Sequence, residues 1–169
     1  MASQVDDITP HLNLREHWHN TFDEIFQDFD PDEWTLEPTI GDMSNEWRRF
    51  KNGAKVKFRC ECGNSWTSMA GIVIFWFKKI GESEARNQYS LRFKVYGQQC
   101  RSCDDEDFQN PRWYKEEVTR VLKNVHQKIG EAFYSFSSKE PDNNKRHGRP
   151  RQPHDSRRCQ ACREGHCSR

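Results

Sequence analysis

The chain has 169 residues, of which 33% are hydrophobic, and a mean hydropathy of −1.12, so one domain is expected and burial alone offers it little stability. Its longest apolar run, residues 71–77, is far shorter than the roughly 20 residues of a membrane-spanning helix, which excludes a transmembrane segment of that kind. The net charge of +1 conceals an asymmetry, because residues 1–46 are strongly acidic, with Arg15 as their single basic residue, and the remainder is basic. The basic part has the charge to attract nucleic acid, while the acidic part would repel it.

The first predicted element is an amphipathic helix that follows a polar start. Residues 1–14 are expected to be a disordered leader, and they lack the apolar stretch of a secretory signal. The next stretch has helical spacing and ends before Pro31, with five apolar residues on one face: Trp18, Phe22, Ile25, Phe26 and Phe29. We interpret this face as core-packing, with a partner-binding amphipathic helix as the alternative.

Alternating apolar and polar residues predict a sheet in the middle of the chain. The predicted strands are residues 55–60, 66–77 and 89–95, with a short further candidate at Trp34–Leu36. Within the second strand, residues 72–77 are apolar on both faces, and Gly71 indicates a bulge or bend. The three main strands form an antiparallel meander, so the sheet is expected to have three to four strands.

A long helix is predicted after the sheet. Asn110 is a suitable N-cap and Pro111 fits the first helical position. The apolar stripe of this helix consists of Tyr114, Val118, Val121, Leu122, Val125 and Ile129, and it extends to Phe133. The predicted fold class is therefore α+β: a zinc-stabilised antiparallel sheet with an N-terminal helix and a long helix packed on it, followed by a Cys/His zinc-binding tail.

The last third of the chain changes in composition. Residues 137–158 contain no aliphatic or aromatic side chain and are rich in Pro, Asn and Arg, which is typical of a flexible basic segment. The predicted organisation is a leader at 1–14, a zinc-binding α+β domain at 15–136, a basic flexible linker at 137–153 and a zinc-binding tail at 154–169 that can dock on the domain.

Four cysteines in two pairs, Cys60 with Cys62 and Cys100 with Cys103, flank the predicted sheet. A Cys-x₂-Cys turn directs two thiolates at one centre, and two such turns complete a tetrahedral zinc site. The first pair is Cys-x-Cys, so its geometry differs from that pattern. Zinc binding would add folding free energy that the small apolar content does not supply.

A second ligand set lies in the tail: His154, Cys159, Cys162 and Cys167. With the first four cysteines it gives eight ligands, which is the number that two tetrahedral zinc ions require. The simplest pairing is sequential, and an interleaved pairing is left open. His166 is an alternative to His154, but its neighbour Cys167 makes it less suitable. The alternative for the tail cysteines is that they are free thiols in a disordered end.

The motifs argue against catalysis. Both metal sites can be filled by four protein ligands, whereas a catalytic zinc usually keeps an open position. The sequence contains no His-Glu-x₂-His, no deaminase signature, no phosphate-binding loop and no spacing that suggests a triad. The polar N-terminus favours a cytoplasmic protein with reduced, zinc-bound thiolates over a secreted protein with disulfides.

The motifs resemble those of the receptor-transporting protein family, whose shared module is the three-CxxC zinc-finger domain. The resemblance covers nearly the whole chain, and it is carried by the stretches WHNTFDEIFQ, WTL at Trp34–Leu36, VKFRCECGNSWTSM, VYGQQCRSC and the Cys/His pattern of the tail. The chain departs from the family in its shortened first pair. It also shows no hydrophobic anchoring segment, so membrane anchoring is not carried over.

The resemblance implies a non-enzymatic, chaperone-like accessory role. Family members help G-protein-coupled receptors, chemosensory ones among them, to leave the endoplasmic reticulum and reach the cell surface. The alternative that the resemblance implies is an interferon-linked antiviral protein that binds RNA, for which the basic body and Phe58 between two cations offer phosphate and stacking contacts. Multi-pass receptors are therefore the expected partners, with RNA and peripheral association with the endoplasmic reticulum or plasma membrane left open.

Overall fold

The structure is a computed structural model that describes residues 13–167, so most of the predicted leader lies outside the described residues. The regular elements, in chain order, are helix α1 (Arg15–Phe26) with a 3₁₀ turn (Gln27–Phe29), strands β1 (Glu33–Pro38), β2 (Arg48–Arg59), β3 (Ser65–Glu82) and β4 (Asn87–Val95), helix α2 (Lys115–Phe133), a second 3₁₀ turn (Ser156–Arg158) and the short helix α3 (Gln160–Arg163). The predicted α+β fold is confirmed.

The four strands form one sheet in the order β1-β4-β3-β2. The meander β2-β3-β4 is antiparallel, as predicted, but β1 pairs in parallel with β4. The sheet is therefore mixed, which corrects the expectation of a wholly antiparallel sheet. The parallel pairing arises because the chain passes from β1 to the opposite edge strand, β2, and reaches β4 only after β3.

Helices α1 and α2 cover one face of the sheet. The alternate residues Val73, Phe75 and Phe77 of β3 lie on this face and are buried with the apolar side of each helix. Trp18 of α1 stacks on Phe93 of β4 with ring centroids 5.0 Å apart. The predicted helical face is thus a core face, because the large aromatic side chains of α1 that form it are buried.

The tail covers the opposite face of β3. Ile72, Ile74 and Trp76 point away from the helices and are buried in a second apolar cluster with Cys159 and Ala161 of the tail. The apolar character of residues 72–77 on both faces is explained by this arrangement, since β3 is the strand that lies between the helices and the tail.

A bulge in β3 exchanges its faces. The pairing of β3 with β2 shifts between Ala54↔Gly71 and Val56↔Ser68, so β3 contains one extra residue there. As a result Trp66 lies on the helix side, where its ring stacks on that of Phe58 at 5.2 Å. Gly71 is needed because a Cβ atom would come 2.7 Å from a methyl carbon of Val56.

Helix α2 begins at Lys115, not at the predicted Pro111. The backbone of Arg112 exchanges two hydrogen bonds with that of Lys57 in β2, at 3.0 and 2.7 Å, which keeps this stretch extended. Trp113 is buried in the core, and its backbone N–H donates to the side chain of Asn13. Tertiary contacts therefore override the local capping signal.

The outer edge of β2 is occupied by polar groups from α2. Glu117 and Arg120 are buried and form an ion pair, with Nε and Oε1 3.0 Å apart. Arg120 also donates to the Gly53 carbonyl, and Glu117 accepts from the Lys55 N–H. Together with Arg112, this pair binds four backbone groups on the outer edge of β2: the Gly53 carbonyl, the Lys55 N–H, and the N–H and carbonyl of Lys57.

Residues 137–153, the connecting segment, run from α2 to the tail along this edge. The Asp142 carbonyl accepts from Arg120 and Asn124, and the Arg146 N–H donates to Glu117. Lys145 reaches the Met69 carbonyl with its Nζ at 2.8 Å. The segment thus makes specific polar contacts, while its predicted flexibility and the domain boundaries remain predictions.

None of the helices among residues 13–167 is both long and apolar enough to cross a bilayer. The longest, α2, has one apolar side and one charged side.

Candidate metal centres

The first candidate, the knuckle centre (Cys60, Cys62, Cys100 and Cys103), lies where the β2–β3 turn meets the segment after β4. The Gly63 N–H donates to the Cys60 carbonyl and the Cys60 N–H donates to the Asn64 carbonyl, both at 2.9 Å, which closes the turn. Gly63 has φ of 96°, in the left-handed region that favours glycine. The fold therefore brings together at one end of the sheet the two pairs that the sequence predicted.

The sulfur positions of the knuckle centre fit a tetrahedral ion. The Sγ atoms of Cys60 and Cys103 are 3.6 Å apart, and those of Cys62 and Cys100 are 3.7 Å apart. A tetrahedral Zn–S distance of about 2.3 Å corresponds to sulfur separations of about 3.8 Å. The shortened Cys-x-Cys pair therefore does not prevent Cys62 from reaching the centre.

The electrostatics of the knuckle centre call for a cation. Burial raises the pKa of Cys100, but the backbone N–H of Ser102, the Asn64 amide and the adjacent thiols outweigh it and lower the pKa to about 7. At Cys60 the backbone N–H of Cys62 acts to lower the pKa, but burial and the neighbouring thiols raise it to about 12. Thiolates this close cannot all ionise without positive charge between them, which a divalent ion supplies.

The second candidate, the tail centre (His154, Cys159, Cys162 and Cys167), is built around α3. Cys159 is the N-cap of this helix, where its Sγ accepts from the Cys162 N–H at 3.4 Å. His154 Nε2 lies 3.4 Å from Cys162 Sγ and 3.7 Å from Cys167 Sγ. These separations suit one tetrahedral zinc with one nitrogen and three sulfur ligands. Burial, and then the neighbouring Cys159 and Cys167 thiols, raise the pKa of Cys162 to about 12.

The grouping of the eight residues matches the sequential pairing. In each set the candidate ligand atoms all lie within 4.8 Å of one another. His166 belongs instead to a partly exposed group with Asp42 and Glu164, where its Nε2 is 3.1 Å from an Asp42 oxygen and Arg49 donates to its Nδ1. The structure thus selects His154 over His166 for the tail centre, while the ligand role of all eight residues remains a prediction.

The two centres are joined through a short stretch of backbone, Gly97–Gln99. Gly97 accepts from the Gln160 N–H, and the Gln99 N–H donates to the Arg158 carbonyl. The guanidinium of Arg158 then donates to the Cys100 carbonyl at 2.7 Å. Sequence reasoning missed this role of Arg158, because the residue lies in a run of basic residues with no pattern to distinguish it. It also missed the Asn64 amide, whose position two residues after Cys62 was the available signal.

The predicted stacking contact for RNA is wrong. Phe58 is fully buried, so its ring is not available to a nucleotide base. Two cations of the basic segment are also engaged: Arg146 lies over the Tyr114 ring at 4.3 Å and pairs with Glu116, and Arg158 binds the Cys100 carbonyl. RNA binding itself remains a prediction.

The chain matches the family model of the three-CxxC zinc ribbon, a zinc-binding domain, over residues 53–165, which is more than half of its length. This range contains seven of the eight residues of the two centres, and Cys167 lies just beyond it. No solved structure matches the chain significantly. Both centres offer combinations of Cys and His side chains that are typical of structural zinc sites, and the match to a zinc-binding family agrees with that chemistry.

Three curated proteins illustrate the relationship. Receptor-transporting protein 3 of Mus musculus is 27% identical over 165 residues, which cover 90% of this chain and 33% of that protein. Receptor-transporting protein 4 of Mus musculus is 26% identical, covering 86% of this chain and 61% of that protein. Receptor-transporting protein 4 of Homo sapiens is 24% identical, with coverages of 89% and 63%. The chain thus spans between a third and just under two thirds of these relatives.

Proposed function

This chain belongs to the zinc-binding family of the three-CxxC zinc ribbon, and we propose that it is a zinc-stabilised accessory protein that promotes delivery of G-protein-coupled, chemosensory-type receptors to the cell surface. The observation that carries the proposal is that relatives named receptor-transporting proteins align with 86% to 90% of the chain. The proposed role is that of the aligned part of those proteins, because this chain spans only a part of their length.

Two zinc ions, one in each centre, are part of the proposal. Each centre offers four protein ligands at tetrahedral spacing. Four protein ligands fill the usual coordination of zinc, so neither ion keeps a position for substrate or activated water. The metal then acts by stabilising the fold, and the protein acts by binding rather than by catalysis.

The receptor contact cannot rest on a broad aromatic face, as the aromatic content had suggested. Most of the large aromatic side chains are in the two cores, and the exposed large hydrophobic residues within residues 13–167 are Ile40 and Ile80. What remains is the acidic surface, formed by exposed carboxylates of α1, of the segment after it and of the first residue of β1: Glu16, Asp23, Glu24, Asp28, Asp30 and Glu33.

The acidic surface is suited to the loops of multi-pass receptors. Cytoplasmic loops of membrane proteins carry an excess of Lys and Arg. Complementary charge accelerates encounter and disfavours wrong partners. We therefore assign the acidic surface to the recognition of basic cytoplasmic loops, which places the protein on the cytoplasmic side of its receptor.

The test is surface expression of a chemosensory-type receptor in cells that express this chain, measured by flow cytometry on non-permeabilised cells. The wild-type chain is expected to raise the surface signal. The triple substitution Glu16→Gln, Asp23→Asn and Glu24→Gln is expected to lose most of that increase, because it neutralises exposed carboxylates without touching either core.

A matched control removes the same charge elsewhere. Glu84→Gln, Asp107→Asn and Glu140→Gln are also exposed and lie outside the acidic surface. This variant is expected to retain the activity. Equal losses in both variants would show that total charge, not this surface, controls delivery. Failure of the wild-type chain across a receptor panel would overturn the proposed function itself.

A further inference from the structure

A large cavity is lined by residues that belong to or adjoin both candidate metal centres, among them Asn64, Ser102, His154 and Cys167. It exists because β3 is twice as long as β4: the last residue of β4, Val95, pairs with Val73, and residues 65–71 of β3 continue without a partner strand on that side. The end of the connecting segment and the start of the tail pass opposite this open edge. The cavity is partly open to solvent and has a volume of about 970 Å³.

The cavity wall is strongly basic. Six cationic residues line it, Lys57, Arg101, Lys145, Arg149, Arg151 and Arg158, against one carboxylate among the described lining residues, Asp155. Asp155 is paired with Arg158, with an oxygen 3.5 Å from its Nε. The wall therefore has a large excess of positive charge, because one carboxylate is set against six cationic side chains.

These cations differ in how firmly they are held. Arg101 donates to Gln152 and to the Pro153 carbonyl, so it fastens the far wall. Lys145 is fixed on the Met69 carbonyl, and burial, followed by the charge of Arg120, lowers its pKa. An anion in the cavity would stabilise the charged form of this partly desolvated ammonium group. The side chains of Lys57, Arg149 and Arg151 are exposed at its mouth.

Zinc-bound thiolates reduce this positive charge without reversing it. A zinc ion with four thiolates has a formal charge of about −2, and one with three thiolates and a histidine about −1. Of the seven cysteines only Cys167 lines the cavity, so most of the thiolate charge lies behind its walls.

We propose that this cavity binds a small, multiply phosphorylated ligand. Its volume is near the upper end of the 300–1,000 Å³ typical of small-molecule sites. Arg and Lys together suit phosphate, since the guanidinium fork binds two phosphate oxygens and the ammonium acts as a point charge. Neutral hydrogen-bonding side chains, among them Asn64, Ser65 and Thr67, complete the wall. The proposal does not depend on the receptor function.

A small phosphate ester fits better than a nucleic acid strand. Sequence-tolerant binding of single strands relies on aromatic rings open to stacking. Trp66, the aromatic residue in this wall, has one face stacked on Phe58 and its indole N–H held by Gln98 at 3.0 Å. The site is also a concave space rather than an extended groove.

Isothermal titration of the zinc-loaded full chain with inorganic tripolyphosphate tests the proposal. Saturable binding at one site is expected. The variant Lys57→Gln, Arg149→Gln and Arg151→Gln, which retains the firmly held cations, is expected to bind at least about tenfold more weakly. A charge-matched control, Lys115→Gln, Lys123→Gln and Lys139→Gln, alters exposed cations outside the cavity and is expected to change the affinity less than about threefold.

Further experiments distinguish a lipid headgroup from a soluble phosphate ester as the ligand. Co-sedimentation with phosphatidylcholine vesicles, with and without a phosphoinositide bisphosphate, shows whether a lipid headgroup is bound; tripolyphosphate should then release the protein. Failure to sediment assigns the site to a soluble ligand. Absence of tripolyphosphate binding, equal losses in the two triple variants, or tight binding of single-stranded RNA that tripolyphosphate does not displace would overturn the proposal. Unchanged zinc content and circular dichroism verify that each variant is folded.

Discussion

The knuckle centre and the tail centre use similar ligands in different structural settings. The knuckle centre joins turns at the end of strands that already share a continuous ladder of hydrogen bonds. The tail centre organises a segment whose regular structure is limited to a 3₁₀ turn and the four-residue α3. It lies against the face of β3 that the helices leave uncovered.

This difference indicates that the two zinc ions would make different contributions to the stability of the fold. At the knuckle centre, zinc would fix the geometry of a sheet whose core is largely formed by other residues. Among the described tail residues, 154–167, the buried apolar ones are Cys159 and Ala161, which cover Ile72, Ile74 and Trp76. Because so few apolar groups cannot hold the tail alone, zinc at the proposed tail centre would take the place of a hydrophobic core.

Removal of both ions is expected to have the largest effect. Elemental analysis of the purified protein should give two zinc ions per chain, and a strong chelator should cause cooperative loss of tertiary structure in near-ultraviolet circular dichroism. Structural zinc contributes on the order of 10 kcal/mol in small peptides, which exceeds the usual stability of a domain. A single ion per chain, or a chelated protein that keeps its spectrum, would contradict the two-centre description.

Substitution of single ligands should separate the centres. Cys100→Ser is expected to cost more than about 5 kcal/mol, because Cys100 is fully buried and accepts from both Asn64 and Ser102. Cys162→Ser, at a half-buried position, is expected to cost less and to release the tail, which would expose the Ile72 face to a hydrophobic dye. Thermal melts and zinc content provide the comparison. Equal losses of melting temperature would show that the tail centre supports the whole fold.

The connecting segment offers a way to weaken the tail centre without touching its ligands. Arg120→Met removes the donors to Asp142 and Gly53 and leaves the Glu117 carboxylate buried without its partner, so a loss of about 3–5 kcal/mol is expected. Zinc transfer to a competing chelator should accelerate at the tail centre and not at the knuckle centre.

A double variant separates the charge effect from the attachment. Glu117→Leu with Arg120→Met removes the buried carboxylate as well, so part of the stability should return. Zinc transfer from the tail centre should remain fast, because the Arg120 contact to Asp142 is still missing and the Glu117 contact to the Arg146 N–H is now lost as well. If stability and transfer rate recover together, attachment of the segment does not control the tail centre.

The smallest expected effect is a pH dependence on the helix side. Burial lowers the pKa of His126, although Asp28, 3.1 Å away, opposes this. The unfolded chain therefore binds a proton more readily, so the stability contributed by neutral His126 is present above a pH of about 6.5 and is lost as the pH falls toward the folded pKa. His126→Gln should flatten the dependence of unfolding free energy in this window.

Acid also releases zinc, so the His126 measurement needs the zinc content at each pH. If the loss of stability arises at His126, it should begin at a pH at which both centres still hold zinc. If stability is lost at the pH at which zinc is released, and His126→Gln does not change that pH, the loss arises at the metal centres instead.

Apolar periodicity predicted the parts of the fold that bury apolar side chains. The stripe of α2, the face of α1 and the double-sided character of residues 72–77 are each confirmed by burial. The start of α2 could not be predicted, because the long-range pairing of Arg112 with Lys57 decides it. The parallel position of β1 depends on chain path rather than on local sequence.

For the candidate metal centres too, only part of the structure could be predicted from the sequence. Cysteine spacing predicted which residues come together, since ligand geometry is encoded locally in each turn. The attachment of the connecting segment was not predictable, because it depends on backbone carbonyls and on the buried pair Glu117 and Arg120. Polar contacts of this kind leave no hydrophobic period in the sequence. The basic cavity was equally hidden, since it results from the unequal lengths of β3 and β4.

The contacts along the outer edge of β2 affect the tendency of the protein to aggregate at high concentration. An exposed edge strand is a template for polymerisation, because a strand from another molecule can add to its unpaired amides. Along residues 53–57, Arg112, Glu117 and Arg120 already bind the Gly53 carbonyl, the Lys55 N–H and both backbone groups of Lys57. A strand from a neighbouring molecule would have to displace these contacts before it could pair there. The buried pair Glu117 and Arg120, which also holds the connecting segment, thus disfavours edge-to-edge association of the sheet.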